Sequence, residues 1–216
     1  MIKNSYSQLS QDIFVDIALQ QDSGFFIEAG CGDGYTLSNT LALEEIGWTG
    51  LLIDIDKDLL EKCLKLRGKN SIVLKLDLSL VSLSDVLRAF DAPKIIDYLS
   101  IDIDDFSLAP LVGFPFEEYS VKIITFEHDA YRFGSQLQTP SRKFLKEKGF
   151  KLICKDVGVE AVSTAMGLLT YHYASPQEDW YVNTKLVPEK NWIDITPKSI
   201  NACERNIKCQ IAARGS

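Results

Sequence analysis

The stretch that most constrains this chain is residues 25–34, Phe-Phe-Ile-Glu-Ala-Gly-Cys-Gly-Asp-Gly. The apolar run Phe25-Phe26-Ile27 predicts a short buried strand. An acid, Glu28, follows it, and then Gly30, Gly32 and Gly34 alternate with other residues. Helix formers come next and predict a helix over residues 37–47, with Gly47 at its C-terminal end. Strand, glycine loop and helix together bring a ligand against bare backbone at a helix N-terminus. Glycine permits this because it tolerates positive φ and has no Cβ to hold a ligand away. The spacing is G-x-G-x-G, whereas the dinucleotide fingerprint is G-x-G-x-x-G. A carboxylate two residues before the first glycine suits a cationic ligand better than a pyrophosphate. S-adenosylmethionine, which carries an ammonium and a sulfonium but no phosphate, fits that demand. A second acid, Asp54, ends the apolar run Leu51-Leu52-Ile53. A carboxylate about 20 residues past the loop is placed to accept hydrogen bonds from ribose hydroxyls. Within the loop, Cys31 and Asp33 are further candidate contacts, although a small space-filling role for Cys31 is the simpler account.

From residue 25 to 154 the pattern alternates strand and helix. Predicted strands lie at 25–27, 51–55, 72–76, 95–103, 121–126, 150–154 and 178–182. Predicted helices lie at about 7–19, 37–47, 58–66, 82–90 and 139–148, the last with Pro140 in its first turn, and a short one falls between residues 106 and 119. Such alternation implies a doubly wound α/β sheet, in which ligands bind beyond the carboxyl ends of the strands. Glu28, Asp54, Asp77, Asp102, Asp104, Glu127 and His128 all fall at predicted carboxyl ends. Residues 155–178 give no clear pattern. The expected organisation is a single domain over residues 1–216, with an N-terminal helical segment at 1–22 and an irregular tail at 188–216.

The chain carries 23 Lys and Arg against 30 Asp and Glu, a formal net charge of −7. A nucleic-acid binder usually shows a basic stripe. The nearest cluster here, Arg142-Lys143-Phe144-Leu145-Lys146-Glu147-Lys148, reads as one solvated helix face, so no nucleic-acid partner is expected. No apolar run approaches a membrane span, and Met1-Ile2-Lys3-Asn4-Ser5-Tyr6 lacks a signal-peptide core. The five cysteines form no C-x-x-C pair. Reduced thiols and a cytoplasmic setting, with no membrane partner, are therefore expected.

The ordered set Ser7-Gln8, Gln11-Asp12, Phe26 to Gly34, Ser38-Asn39-Thr40, Leu43-Glu44 and Gly47-Trp48-Thr49-Gly50 resembles the FkbM-type methyltransferases. So do Asp97 to Asp104, Glu127-His128-Asp129 and Glu178-Asp179-Trp180-Tyr181-Val182. The resemblance covers the chain to about residue 182. It implies a class I methyltransferase fold, S-adenosylmethionine as cofactor, and O-methylation of a sugar or other small-molecule hydroxyl. By that resemblance Glu28, Gly30, Gly32 and Gly34 hold the methionine end of the cofactor, Asp54 the ribose and Asp77 the adenine amine, and Asp102 faces the methyl-transfer centre. One departure is Asp105, which stands where the family often has glycine.

Methylating an alkyl hydroxyl calls for a base, and histidine suits neutral pH. Of the two histidines, His172 lies in the aromatic setting Leu169-Thr170-Tyr171-His172-Tyr173, while His128 ends a strand beside Glu127 and Asp129. His128 is the expected general base, with Asp102 orienting acceptor or cofactor. Asp102, Asp104 and Glu127 form an alternative, less favoured set of hard oxygen ligands for magnesium. Two competing classes stay open at this point. One is a nicotinamide-dependent oxidoreductase; the other is a non-catalytic interaction module that retains the fold.

Overall fold

The computed structural model describes residues 1–158, 160–165, 168–173 and 175–195, and of 160–165 and 168–173 the backbone alone. The elements in chain order are α1 (Gln11–Leu19), β1 (Phe25–Ala29), α2 (Leu41–Glu45), β2 (Thr49–Asp54), α3 (Lys57–Arg67), β3 (Ile72–Lys75), α4 (Leu83–Ala89) and β4 (Ile95–Ile101). They continue with α5 (Leu108–Val112), β5 (Ser120–Glu127), α6 (Ala130–Phe133), α7 (Ser135–Glu147), β6 (Phe150–Val157), β7 (Glu160–Ala165), β8 (Leu168–Tyr173) and β9 (Glu178–Asn183).

The α/β expectation holds. Seven strands form one sheet in the order β3-β2-β1-β4-β5-β9-β6. β1 through β5 pair in parallel. β9 runs antiparallel to both β5 and β6. Strands covered on both faces should be apolar throughout, and β2, β4 and β5 are buried along most of their length. On one face Phe26, Leu52, Tyr98, Ile123 and Trp180 pack against α1, α2 and α3, and Phe14 of α1 stacks on Trp180 with ring centroids 5.0 Å apart. On the other face Ile27, Leu51, Leu99, Ile124 and Tyr181 pack against α4, α5 and α7. Among the described residues no helix is long and apolar enough to cross a membrane.

Three expectations change. The helix after the glycine loop is α2 alone, beginning at Leu41 rather than Leu37. Leu37 instead has φ +58° and bridges to Ser7, because the Ser38 and Thr40 hydroxyls and the Asn39 amide are spent on Glu28. Local polar bonding of this kind competes with helix. α7 begins at Ser135, four residues before the expected start, which places Pro140 inside the helix rather than in its first turn. The unreadable segment contributes the hairpin β7–β8, a separate two-stranded sheet. The irregular tail packs its first part on the core, where Trp192 and Ile195 are buried. Residues 196–216, with Cys203 and Cys209, and the side chain of His172 lie outside the described residues. Cys31, Cys63 and Cys154 are free, buried thiols.

Candidate functional site

A cavity of about 350 Å³ opens at the carboxyl ends of β1, β2, β3 and β4. Of the sequence-predicted residues, Gly30, Gly32, Asp54, Asp77, Asp102 and Asp104 line it. Ile53, Ile55, Leu76, Leu78, Ser79, Ile103, Asp105 and Phe106 complete the lining. Ile55 and Phe106 are largely exposed apolar side chains at its mouth. Sequence reasoning missed Ile55 and Leu78, although each directly follows an acid it had singled out.

The two lining glycines do different work. Gly30 has φ +90°, and a Cβ there would fall 1.7 Å from the Asp102 carbonyl oxygen. The chain can turn at this point only without a side chain, because the end of β4 lies against it. Gly32 has φ +53° and nothing within 4 Å of where its Cβ would be. That is the bare cradle expected where a ligand meets backbone. Asp54 pins the loop: its Oδ2 accepts from the Gly32 amide at 2.8 Å, and Oδ1 accepts from the amides of Ile55 and Asp56 at 2.7 and 3.0 Å. A carboxylate has about four lone-pair positions, so Asp54 retains acceptor capacity toward the cavity. Asp77 is exposed at the far rim. Its Oδ1 accepts from the Ser79 hydroxyl and amide, which hold the carboxyl below its ordinary range.

Glu28, Cys31, Asp33 and Gly34 do not line the cavity; they build the loop from behind. Glu28 is buried, and its carboxylate accepts from the Asn39 amide at 2.7 Å and the Thr40 hydroxyl at 2.5 Å. Burial raises its pKa, with Arg67 and the hydroxyl donors opposing. Arg67 is 0% exposed. Its guanidinium donates to Glu44 at 2.9 Å, the Gly34 carbonyl at 3.1 Å, Ser38 at 3.1 Å and Thr40 at 3.0 Å, and lies 3.9 Å from Glu28. The glycine loop is thus bolted to α3 through one buried arginine that the sequence reading passed over. Asp33 accepts from the Tyr35 and Thr36 amides at 2.9 and 2.7 Å, closing the turn that follows.

The expected base, His128, is corrected by its position. Side chains alternate along β5, so Glu127 projects to the face shared with Thr125 and His128 to the opposite one. There His128 is 0% exposed. Its Nδ1 accepts from the Ala130 amide at 3.2 Å, and its Nε2 lies 3.4 Å from Asp179. It does not line the cavity. Arg142 of α7 completes the cluster by donating to Asp179 at 2.7 and 2.8 Å and to Asp156 at 2.5 Å. Burial opposes ionisation of Asp179, but Arg142 and His128 outweigh it and hold that carboxyl far below its usual range. This is a clasp joining β5, β6, β9 and α7. The Arg142 guanidinium bridges the two carboxylates, and Lys155 lies 3.6 Å from the second oxygen of Asp156.

On the cavity side, the registers Ile101↔Phe126 and Glu127↔Glu178 set Asp102, Glu127 and Glu178 side by side across β4, β5 and β9. Asp102 and Glu127 are neighbours across β4 and β5; burial raises both, and proximity to Asp102 helps push Glu127 up to about 10. Glu178, buried and receiving the Trp180 indole N–H, is pushed up to about 8, chiefly by burial. Asp104, Glu127 and Asp129 approach closely enough to share an ion. However, Arg132 already donates to Asp104 at 2.8 Å and Asp129 at 3.0 Å, so a guanidinium takes the cation's place there.

No protein-family model matches the sequence, and no curated protein does. Solved structures do. Precorrin-6y C5,15-methyltransferase from Geobacter metallireducens superposes with TM-score 0.53 at 10% identity, over 80% of this chain and 87% of that one. A TehB-like SAM-dependent methyltransferase from Corynebacterium glutamicum gives 0.51 at 13% identity, over 82% and 89%. Aeropyrum pernix fibrillarin, in complex with natively bound S-adenosyl-L-methionine, gives 0.50 at 10% identity, over 83% and 76%. The seven-stranded sheet with its reversed strand between β5 and β6 is the class I methyltransferase, Rossmann-like fold.

Proposed function

We propose that this chain is an S-adenosylmethionine-dependent methyltransferase of FkbM type that methylates a hydroxyl of a sugar or other small molecule. The observation that carries the reading is the bare Gly32 backbone facing a 350 Å³ cavity, tied by its amide to Asp54. The residues fit the cofactor. Gly30 and Gly32 leave room for its methionine end, Asp54 offers acceptor capacity to a ribose, and Ile55 and Leu78 supply apolar flanks for a planar base, with Asp77 and Ser79 at its edge. When bound, the cofactor supplies an electrophilic methyl group. The protein's part is to hold the acceptor in line and exclude water, which in ideal cases contributes roughly 7–11 kcal/mol. A fold relative that carries this cofactor natively supports the same reading. The reversed β9 disfavours the nicotinamide alternative, since the usual dinucleotide sheet is parallel in the order 3-2-1-4-5-6.

Calorimetry with S-adenosylmethionine, S-adenosylhomocysteine and NAD⁺ tests the proposal. The two sulfur ligands are expected to bind and NAD⁺ is not. Asp54→Ala removes bonds worth about 1.5–3 kcal/mol, so affinity is expected to fall on the order of tenfold or more. Gly32→Leu is expected to abolish binding by filling the cradle. Unchanged affinity in both variants would sink the assignment. Transfer of labelled methyl to a panel of hydroxylated acceptors then identifies the acceptor class.

A further inference from the structure

We propose that Asp102 and Glu127 work as one proton-sharing unit, in which Asp102 accepts the proton from the acceptor hydroxyl during methyl transfer and Glu127 sets when it can. The proposal rests on the methyltransferase reading. The geometry carries it. Asp102 lines the cavity beside the Gly30 turn, at the end of the strand adjacent to β1. Glu127 stands next to it on β5 and does not line the cavity, so it acts through Asp102. Glu127 is held in place by the Asp104 amide, which donates to its Oε2 at 3.2 Å.

Two adjacent carboxyls in a half-buried setting cannot both ionise readily. At neutral pH the pair holds one proton, Glu127 keeps it, and Asp102 is the ionised partner. The raised pKa of Glu127 fits that arrangement. The groups facing the pair are accounted for. Asp104 and Asp129 flank it and are both bonded by Arg132. Glu178 faces it from β9, and on β1 Glu28 is turned to Arg67 and the loop hydroxyls. No cation on the chain is left for the dyad itself among the described residues; the sulfonium is the positive charge that site would receive.

The step balances. The acceptor O–H breaks and its proton passes to the Asp102 carboxylate. The acceptor oxygen forms a bond to the methyl carbon as the carbon–sulfur bond breaks, and that electron pair stays on sulfur. One positive charge disappears as the sulfonium becomes a thioether, and one negative charge disappears as Asp102 is protonated. The doubly protonated pair is therefore tolerated at the moment it forms. The proton leaves to solvent with the products.

The test needs no acceptor. S-adenosylmethionine carries the sulfonium charge and S-adenosylhomocysteine does not. Calorimetry of the full chain in buffers of different ionisation enthalpy counts the protons released on binding each, from about pH 6 to about pH 10. The α-ammonium titrates in both ligands, so the diagnostic quantity is the change on Glu127→Gln. The methionine ligand is expected to release up to about one proton more from wild type than from Glu127→Gln, and the homocysteine ligand the same number from both. Glu127→Gln is isosteric and removes a buried acid, so it is expected to fold. Asp102→Asn is expected to lose the same proton release while still binding S-adenosylhomocysteine. With an acceptor in hand, Asp102→Asn is expected to lower turnover by roughly a hundredfold to ten-thousandfold. Glu127→Gln is expected to move the acid limb of the rate profile to higher pH, because the carboxyl that favours ionised Asp102 is gone. Proton release unaltered by Glu127→Gln, with both ligands binding, overturns the proposal and leaves the methyltransferase reading standing. Tight magnesium binding to the free protein, lost in both variants, also overturns it by making the pair ligands. Binding of neither sulfur ligand overturns both readings.

Discussion

Glu178 shows how one buried acid can set the pH response of stability. Its folded pKa of about 8 lies well above the ~4.3 of an unfolded glutamate. Between those values the folded state holds a proton the unfolded state has lost, so stability falls as pH rises through that window. Each pKa unit is worth about 1.4 kcal/mol, giving several kcal/mol at most. Glu178→Gln is expected to flatten the slope and raise the melting temperature more at pH 9 than at pH 5; equal slopes for variant and wild type would refute this. Arg67 makes the opposite case. Removing one partner of a buried charge cluster leaves the others uncompensated and costs about 3–5 kcal/mol. Arg67→Met is therefore expected to lose about that much in urea unfolding, and Arg67→Lys to rescue little, because an ammonium cannot reproduce the fork that reaches Glu44, Gly34, Ser38 and Thr40. For His128 the expectation is a stability effect. His128→Ala breaks the clasp on Asp179 and is expected to cost about 1–3 kcal/mol, with cofactor affinity unchanged by calorimetry.

At the scale of elements, the strands were the legible part. β2, β3, β5 and β9 fall within two residues of their predicted positions because apolar runs bounded by glycine or acid leave little alternative. The loop glycines and Asp54 were legible for the same reason, since their spacing states a backbone requirement. The start of α2 was not. Whether Ser38, Asn39 and Thr40 join a helix depends on Glu28 and Arg67 waiting beneath them, and that contact spans almost thirty positions of chain. The direction of β9 was equally hidden: its sequence fixes which residues are buried, while pairing with β5 and β6 decides which way it runs. His128 was misread for a simpler reason. It ends the right strand on the wrong face, and a one-residue step along a strand reverses the side. Glu127, one position earlier, is on the cavity side.

For the whole molecule, the surface balance bears on which acceptors are expected to approach the cavity. With a net charge of −7 and acids ringing the cavity mouth at Asp77, Asp104 and Asp105, a phosphate backbone is repelled where it would have to approach. Neutralising phosphates takes several Lys or Arg on one face. RNA and duplex DNA are expected to show no salt-dependent shift in a mobility assay, and tight binding that weakens steeply with salt would contradict the small-molecule reading.

The contact between Gly30 and the Asp102 carbonyl has a consequence for how such a site diversifies. The backbone of the glycine turn and the backbone that presents the acid touch with no side chain between them, and Asp102 returns its own amide to the Ala29 carbonyl at 2.9 Å. Neither can drift without dragging the other, so the two behave as a single casting. Novelty in acceptor choice is left to the parts outside that casting, the exposed lip at Asp104, Asp105 and Phe106. Lineages sharing this arrangement should vary at the lip while the turn beneath it stays still.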